Sequence, residues 1–118
     1  MRRRILLLIV LAASLRTDAS QTLVRYAVVL KDPPLAEFSQ SHQNAPPAAI
    51  ESYRRHVETA QESLRRELGR RKFTVTGSVQ NVMNAVFVTA SPDRIAELRA
   101  LPGVKAVVRM RRQRLAGR

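Results

Sequence analysis

The chain has 118 residues, a length that suits one domain and not two. Its 21 Lys and Arg residues outnumber its 9 Asp and Glu residues and give a formal net charge of +12, which directs attention to anionic partners. The absence of cysteine excludes thiolate catalysis and cysteine-based zinc or iron–sulfur sites.

The first 19 residues have the pattern of a secretory signal peptide. Three arginines, Arg2–Arg4, precede the unbroken apolar stretch Ile5–Ala13, and Thr17 and Ala19 supply small residues near a cleavage point. A buried N-terminal helix is the alternative, but the stretch has no helical periodicity. A membrane-spanning helix needs about 20 apolar residues, so we predict no stable membrane span here. We therefore expect cleavage near Ala19 and a secreted or periplasmic mature protein.

The first predicted strand, Leu23–Leu30, is apolar on both of its faces. Such a strand is usually central in its sheet and covered on both sides. The pair Pro33-Pro34 follows it, and residues 31–47 are predicted to form a loop, with a mobile connection over Ser39–Pro47. One face of the strand carries Val24, Tyr26, Val28 and Leu30, and the other carries Leu23, Ala27 and Val29.

A change of hydrophobic period from Ala48 onward predicts a helix of about five to six turns. Gly69 is its predicted end. Basic residues surround that end and would interact favourably with the helix dipole; they are Arg65, Arg66, Arg70, Arg71 and Lys72. The apolar stripe of the helix consists of Ile50, Tyr53, Val57, Ala60, Leu64 and Leu68.

Two edge strands, a second central strand and a short helix are predicted after the long helix. Phe73–Val79 alternates between apolar and polar residues, as an edge strand with one buried face does, whereas Asn84–Ala90 is apolar on both faces. Ser91-Pro92-Asp93 predicts a helix start, and Val104–Met110 predicts a final edge strand. The alternation assigns one face of each edge strand to the apolar sets Phe73, Val75, Gly77, Val79 and Val104, Ala106, Val108, Met110.

This order of elements predicts an α+β fold of the ferredoxin-like β-α-β-β-α-β type. Its four-stranded antiparallel sheet has the spatial order 4-1-3-2, and two helices cover one face. The other face is left bare, although the first and third strands are apolar on that face too. An uncovered apolar patch of this kind indicates a surface for a binding partner. Homodimerisation through the same face is the alternative.

Three segments occur in an informative order and spacing: the first strand Tyr26–Leu30, the third strand Asn84–Val88 (Asn-Ala-Val-Phe-Val) and the passage Ile95–Val107. Together with the long helix, they resemble the propeptide and inhibitor family of the subtilisin-like serine proteases. The resemblance makes residues 23–112 the propeptide-like inhibitor domain, which follows the predicted signal peptide (1–19) and precedes a flexible basic tail (113–118).

The resemblance implies how the chain would act. In this family the open sheet face packs on two helices of the protease, and the segment after the last strand enters the active-site cleft as an extended peptide that pairs by β-augmentation. In precursors the same contacts assist folding of the attached catalytic domain, as an intramolecular chaperone. The implied sheet-face residues are Tyr26, Val28, Asn84, Val86, Phe87 and Val88, and the implied cleft-binding residues are Met110, Arg111, Arg112, Gln113, Arg114 and Leu115.

The sequence leaves open which of Val86, Phe87 and Val88 faces outward, because the pattern does not set the strand register. It predicts no catalytic residue, no metal site and no cofactor. The Asp-Thr-Gly, His-Gly-Thr-His and Gly-Thr-Ser-Met-Ala stretches of the protease are missing, and His42 and His56 are predicted to be solvated surface residues, which excludes an acyl-transfer enzyme. The expected partner is a subtilisin-like serine protease, bound in cis in a precursor or in trans.

The tail departs from the family, in which this segment is often acidic or neutral. Its arginines suggest a protease with an acidic cleft, or a dibasic cleavage point at Arg111-Arg112. The charge also supports an alternative function, a basic ferredoxin-like module that binds nucleic acid or another polyanion. RNA binders of this fold stack bases on aromatic residues of the central strands. This chain offers Tyr26 and Phe87 there but lacks the Gly-Phe-rich signature of those binders, and export would separate it from most nucleic acid, so no nucleic-acid partner is expected.

Overall fold

Four strands form one antiparallel sheet in the computed structural model, which describes residues 22–111. The strands are β1 (Val24–Leu30), β2 (Thr74–Val79), β3 (Ala85–Ala90) and β4 (Val104–Arg109). Their spatial order is β2-β3-β1-β4, which confirms both the predicted order and the central positions of the first and third strands. The predicted signal peptide (1–19) and basic tail (113–118) lie outside the described residues.

Three helices accompany the sheet: α1 (Leu35–Ser41), α2 (Pro47–Arg70) and α3 (Ile95–Arg99). The long helix α2 and the short α3 were predicted, and a 3-10 turn begins at the proline expected to start the third helix. The element order is therefore β-α-α-β-β-α-β, an α+β ferredoxin-like fold with one helix added.

The added helix α1 lies where a loop was predicted, so that part of the prediction is wrong. Seven residues are too few to stabilise a helix by local propensity, and tertiary contacts hold α1 instead. The N–H groups of Leu35 and Ala36 donate to the carbonyl oxygens of Gln80 and Asn81, at 2.9 and 3.0 Å, so the β2–β3 turn satisfies the start of the helix. The Phe38 ring stacks on Tyr53 of α2 with 3.9 Å between the ring centroids.

The hydrophobic core lies between one face of the sheet and the helices α2 and α3. Fully burying a large aliphatic side chain contributes about 1.5–3 kcal/mol, so this layer supplies most of the folding free energy that the domain has. The cluster consists of Tyr26, Val28, Leu30, Leu64, Leu68, Phe73, Val86, Val88, Ala90, Leu98, Leu101 and Val104.

Each edge strand contains an irregularity that reverses its faces midway. In β2, Val75 pairs with Val88 and Gly77 pairs with Phe87, so one extra residue lies between them. A β-bulge of this kind moves every later residue to the opposite face of the sheet. The single apolar face predicted for Phe73–Val79 is therefore wrong: Val75 faces the helices, whereas Gly77 and Val79 face away from them.

The same reversal occurs in β4. Val104 pairs with Leu30 on the helix side, but Ala106 pairs with Val29, and the extra residue is Lys105. Ala106 and Val108 consequently face away from the helices, although the alternation placed them on one face with Val104. A bulge leaves no mark on a binary pattern of apolar and polar residues, which explains both errors.

The end of α2 places Lys72 in a left-handed conformation that is usual for glycine and not for lysine. The helix continues past Gly69 to Arg70, and Lys72 adopts the left-handed conformation with φ 69°. The N–H of Phe73 donates to the Leu68 carbonyl at 2.9 Å, and the N–H of Lys72 donates to the Gly69 carbonyl at 3.0 Å. These two bonds form a Schellman motif, in which glycine usually occupies the position of Lys72. Burial of Phe73 in the core accounts for the turn at this point.

Two buried amides connect α2 to the sheet. Gln61 is 2% exposed and Asn84 is 1% exposed. The Gln61 Nε2 donates to Asn84 Oδ1 at 2.8 Å and to the Val79 carbonyl at 2.9 Å. The Asn84 Nδ2 in turn donates to the Asp32 carbonyl at 3.0 Å. This network joins the middle of α2, the β2–β3 turn and the end of β1, and sequence reasoning missed Gln61, which lies within the apolar stripe of the helix.

We expect Asn84→Ala to destabilise the domain by about 2 kcal/mol, because it leaves buried hydrogen-bonding groups of Gln61 and Asp32 without their partner. Gln61→Ala should do likewise. The double variant should show a coupling energy of about 0.5–3 kcal/mol. The measurement is the free energy of unfolding in urea. The control is Gln40→Ala, which truncates an amide at an exposed position of α1 and should change stability by less than about 0.5 kcal/mol. If the losses in unfolding free energy of Asn84→Ala and Gln61→Ala simply added in the double variant, the two amides would not be coupled and the network would be contradicted.

Candidate functional site

The face of the sheet that points away from α2 and α3 is here called the open face. Cross-strand partners share a face, so the register assigns its members directly. Ala27 pairs with Phe87 and with Val108, and Phe87 pairs with Gly77, which places these four residues together. The complete open face consists of Arg25, Ala27, Val29, Thr74, Gly77, Val79, Ala85, Phe87, Thr89, Ala106 and Val108.

Four of the six predicted sheet-face residues lie on the other side of the sheet. Tyr26 is 1% exposed, and Val28, Val86 and Val88 are 0% exposed. Their side chains belong to the core beneath the helices, so the predicted composition of the binding face is corrected. Because both faces of β1 and β3 are apolar, the pattern could not distinguish the two registers, and the structure selects the one that buries the larger side chains.

Asn84 does not lie on the open face either. Its amide is consumed by the buried network with Gln61 and Asp32, so its role in the structure is to fix the start of β3.

Phe87 is the predicted residue that the structure places on the open face. It is half-buried, and its neighbours across the sheet, Ala27 and Gly77, are small. A Cβ atom on Gly77 would lie 3.8 Å from Cδ2 of the Phe87 ring, so the ring lies over the glycine. An aromatic ring packed on small residues presents apolar surface, and aromatic residues are enriched at protein interfaces.

Exposed aliphatic side chains extend the open face on either side of Phe87. Val108 of β4 is 50% exposed and Val79 of β2 is 39% exposed. Val82 and Met83 in the adjoining β2–β3 turn are also exposed, at 84% and 40%. Sequence reasoning missed Val79 and Val108 as surface residues, because the two bulges, which no sequence signal revealed, bring them to the open face.

The described part of the predicted tail leaves the sheet at one corner. The N–H of Met110 donates to the Arg25 carbonyl at 2.9 Å, so pairing with β1 continues one residue beyond β4. Met110 is half-buried and Arg111 is exposed. The remaining predicted tail residues, Arg112, Gln113, Arg114 and Leu115, lie outside the described residues.

Most of the basic cluster around the end of α2 is held in ion pairs, which lie on the helix side of the domain. Glu67 contacts Arg70 and Arg71, each at 2.6 Å, and Glu97 contacts Arg71 at 3.2 Å and Arg94 at 2.8 Å. Arg94 also lies 3.8 Å from the centroid of the Phe73 ring. These arginines connect α2, the β2 entry and α3, so a structural role explains them.

Hydrogen bonds from these arginines also determine the acid–base behaviour of the two glutamates. Donation by Arg70, and then by Arg71, holds the pKa of Glu67 below its ordinary value. Donation by Arg94, with a smaller contribution from Arg71, lowers the pKa of Glu97 in the same way.

The two histidines lie on the helix side and face solvent. His56 Nε2 is 2.9 Å from Asp32 Oδ2, and His42 Nδ1 is 2.9 Å from the Phe38 carbonyl oxygen. Within residues 22–111, no three His, Asp or Glu side chains are grouped so that they could hold a metal ion. None of the helices in that range is long and apolar enough to cross a membrane.

The described residues thus form a small domain whose sheet is covered by helices on one face and is largely apolar on the other. The sequence model of the Peptidase inhibitor I9 family matches residues 25–116, which include nearly all of the described domain. The chain belongs to this family of subtilisin propeptide inhibitor domains. A search of curated proteins found no match, and a search of solved structures also found none.

We expect acid to weaken the domain partly through Glu67 and Glu97. Because their pKa values are lowered on folding, their contribution to stability is present above pH 4.5, the ordinary value, and is lost as pH falls below it. Glu97→Gln should therefore lower stability at pH 7 and reduce its loss between neutral pH and pH 3. Urea unfolding across this range measures the effect, with Glu58→Gln as the control, since Glu58 is exposed and forms no ion pair within residues 22–111. Equal acid sensitivity in Glu97→Gln and the unaltered protein would contradict the role of the cluster.

Proposed function

We propose that the chain is an exported inhibitor and folding helper of a subtilisin-like serine protease. It binds the enzyme through the open face and inserts the segment after β4 into the active-site cleft. The observation that carries this proposal is the open face itself, an apolar surface centred on Phe87 in a domain that belongs to a protease inhibitor family. Action in cis within a precursor and action in trans use the same contacts.

The physical case for docking is that the exposed apolar area has no cover within the described residues. Each square ångström removed from water contributes about 25 cal/mol, so covering Val79, Phe87 and Val108 with a complementary surface is favourable. The resemblance implies that two helices of the protease pack on the open face. They would cover it as α2 covers the opposite face of the sheet. Phe87, rigid and central, would be the anchor of the contact.

The course of the chain after β4 supports the second contact. Met110 is still paired with Arg25, so the chain leaves the sheet extended. An extended segment can add to a strand of an enzyme cleft by main-chain hydrogen bonds, which is how substrate-like peptides bind. The proposal assigns this pairing to Met110, Arg111, Arg112, Gln113, Arg114 and Leu115. Export rests on the signal-peptide pattern of residues 1–19.

Burial of Tyr26 favours this function over the polyanion-binding alternative. A base-stacking platform needs exposed aromatic rings on both central strands. Tyr26 is 1% exposed and faces the helices, so Phe87 alone remains on the open face. Arg70 and Arg71 at the end of α2 are likewise engaged with Glu67 and Glu97, which leaves fewer free cations in that cluster for a polyanion.

We expect Val108→Glu to weaken inhibition of a subtilisin-like protease by about 2 kcal/mol, roughly thirtyfold, because it removes apolar contact and brings an unpaired charge to the interface. The side chain is half-exposed, so the fold should survive. The measurement is residual protease activity against titrated domain, with circular dichroism as the check on folding. Thr59→Glu is the matched control: threonine has the shape of valine, and Thr59 is exposed on α2. Equal inhibition by both variants would remove the open face from the mechanism, and no inhibition of any enzyme in a panel at micromolar concentration would refute the function.

We expect removal of residues 111–118 to leave folding intact, because β4 ends at Arg109 and the last backbone pairing is made by Met110. Inhibition should fall about a hundredfold or more, since the sheet contact alone leaves the cleft accessible and loses the advantage of two linked contacts. The control replaces residues 111–118 with a Gly/Ser segment of equal length, which should inhibit as poorly as the truncated chain. An unchanged inhibition constant after truncation would show that the cleft is not filled by this segment.

A further inference from the structure

Charge is segregated between the two layers of the domain. The strands carry cations and no carboxylate: Arg25 in β1, and Lys105 and Arg109 in β4. Every Asp and Glu within residues 22–111 lies on a helix, on the 3-10 turn before α3 or in the loop after β1; these residues are Asp32, Glu37, Glu51, Glu58, Glu62, Glu67, Asp93 and Glu97.

The cations of the two layers also differ in their partners. Most arginines on the helix side form ion pairs, as Arg66 does with Glu62 and Arg94 does with Glu97, and Arg99 is an exception. Arg25, Lys105, Arg109 and Arg111 are exposed and form no ion pair within residues 22–111. A structural role therefore accounts for the first group and does not account for the second.

Arg25, Arg109 and Arg111 lie at the same end of the sheet, but of the strand cations the register assigns only Arg25 to the open face, because Arg109 pairs with the core residue Tyr26 on the helix side. Arg25 pairs with Thr89, which places its side chain on the open face. Arg25, Thr89, Met110 and Arg111 together line one shallow depression. At the opposite end the register brings Val29, Ala85 and Val79 together on the open face, and the one strand cation there is the bulge residue Lys105 at the sheet edge. The face thus has a cationic end, from which the chain leaves towards its C-terminus, and an apolar end.

We propose that the protease bound by this domain carries a carboxylate-rich patch that lies beside its active-site cleft and faces Arg25. This inference rests on the proposed function and specifies its partner. Docking of the open face would bring Arg25 out of water, and a cation moved to an interface is costly unless an opposite charge meets it. The cationic end adjoins the tail, so the patch belongs at the mouth of the cleft that the tail enters.

Complementary charge of this kind acts mainly on orientation and on the rate of encounter. A face that is apolar along most of its length could dock in more than one direction. Attraction at the Arg25 end would select the direction in which the chain beyond Met110 points into the cleft. The partner is accordingly a subtilisin-like protease with an acidic rim, and proteases with a neutral or basic rim should be inhibited more slowly.

The test compares Arg25→Glu with Arg99→Glu. Arg99 is also exposed and forms no ion pair within the described residues, but it lies in the last turn of α3 on the helix side. Both substitutions replace arginine with glutamate and therefore change the net charge equally. The measurement is the association rate constant with a subtilisin-like protease that the domain inhibits and whose active-site cleft has an acidic rim. At 0.1 M salt we expect Arg25→Glu to lower this rate about tenfold and Arg99→Glu to change it less than about twofold. At about 1 M salt, where the screening length is about 3 Å, the difference should disappear. Arg25→Lys should retain the rate.

Three results would overturn the inference, and they are distinguishable. Equal rates for Arg25→Glu and Arg99→Glu on a protease that is inhibited would refute the acidic rim while leaving the proposed function in place. Inhibition of no protease in the panel would refute the proposed function and the inference with it. The third result is that Arg25→Glu abolishes retention on a heparin column but does not change the rate of association with the protease. That result would assign Arg25 to binding a polyanion instead.

Discussion

Packing of the two central strands against α2 and α3 is the interaction on which the rest of the structure depends. Tyr26 lies opposite Val88, and Val28 lies opposite Val86, so four large side chains enter the core from adjacent positions. A shift of one residue in either strand would exchange the buried set for Ala27, Val29, Ala85 and Phe87. The smaller set would fill less of the space beneath the helices, and the difference in buried apolar area selects the observed register.

The open face is a consequence of this choice. Once the large aliphatic residues are covered, the outward side of β1 and β3 consists mostly of small residues, and Phe87 rests on them. The bulges in β2 and β4 then turn the final residues of both edge strands outward, which adds Val79 and Val108 to the surface. Bulges are common at sheet edges and next to functional sites, where they redirect side chains. Here they widen an apolar surface from two strands to four.

Charge follows the same division into layers. The helix layer balances most of its arginines with glutamates such as Glu67 and Glu97, whereas the strand cations have no ion-pair partner within the described residues, and Arg25 lies at one end of the open face. A net charge of +12 therefore overstates how much of the molecule could attract a polyanion. What remains for a partner is an apolar surface with one basic end, a combination that suits a protein surface better than a uniform anionic polymer.

Much of the fold could be predicted from the sequence, because its signals are local. Period-2 and period-3.6 patterns located four strands and the long helix, two apolar faces marked β1 and β3 as central, and the segment around Phe87 indicated the family. Tertiary structure alone decided the rest. The helix α1 exists because the β2–β3 turn satisfies its first N–H groups, and Lys72 turns left-handed because Phe73 is buried. Asn84 became a buried amide through Gln61, 23 residues away in sequence. Above all, a strand that is apolar on both faces does not reveal which face will be covered; that depends on which side chains fill the space beneath α2.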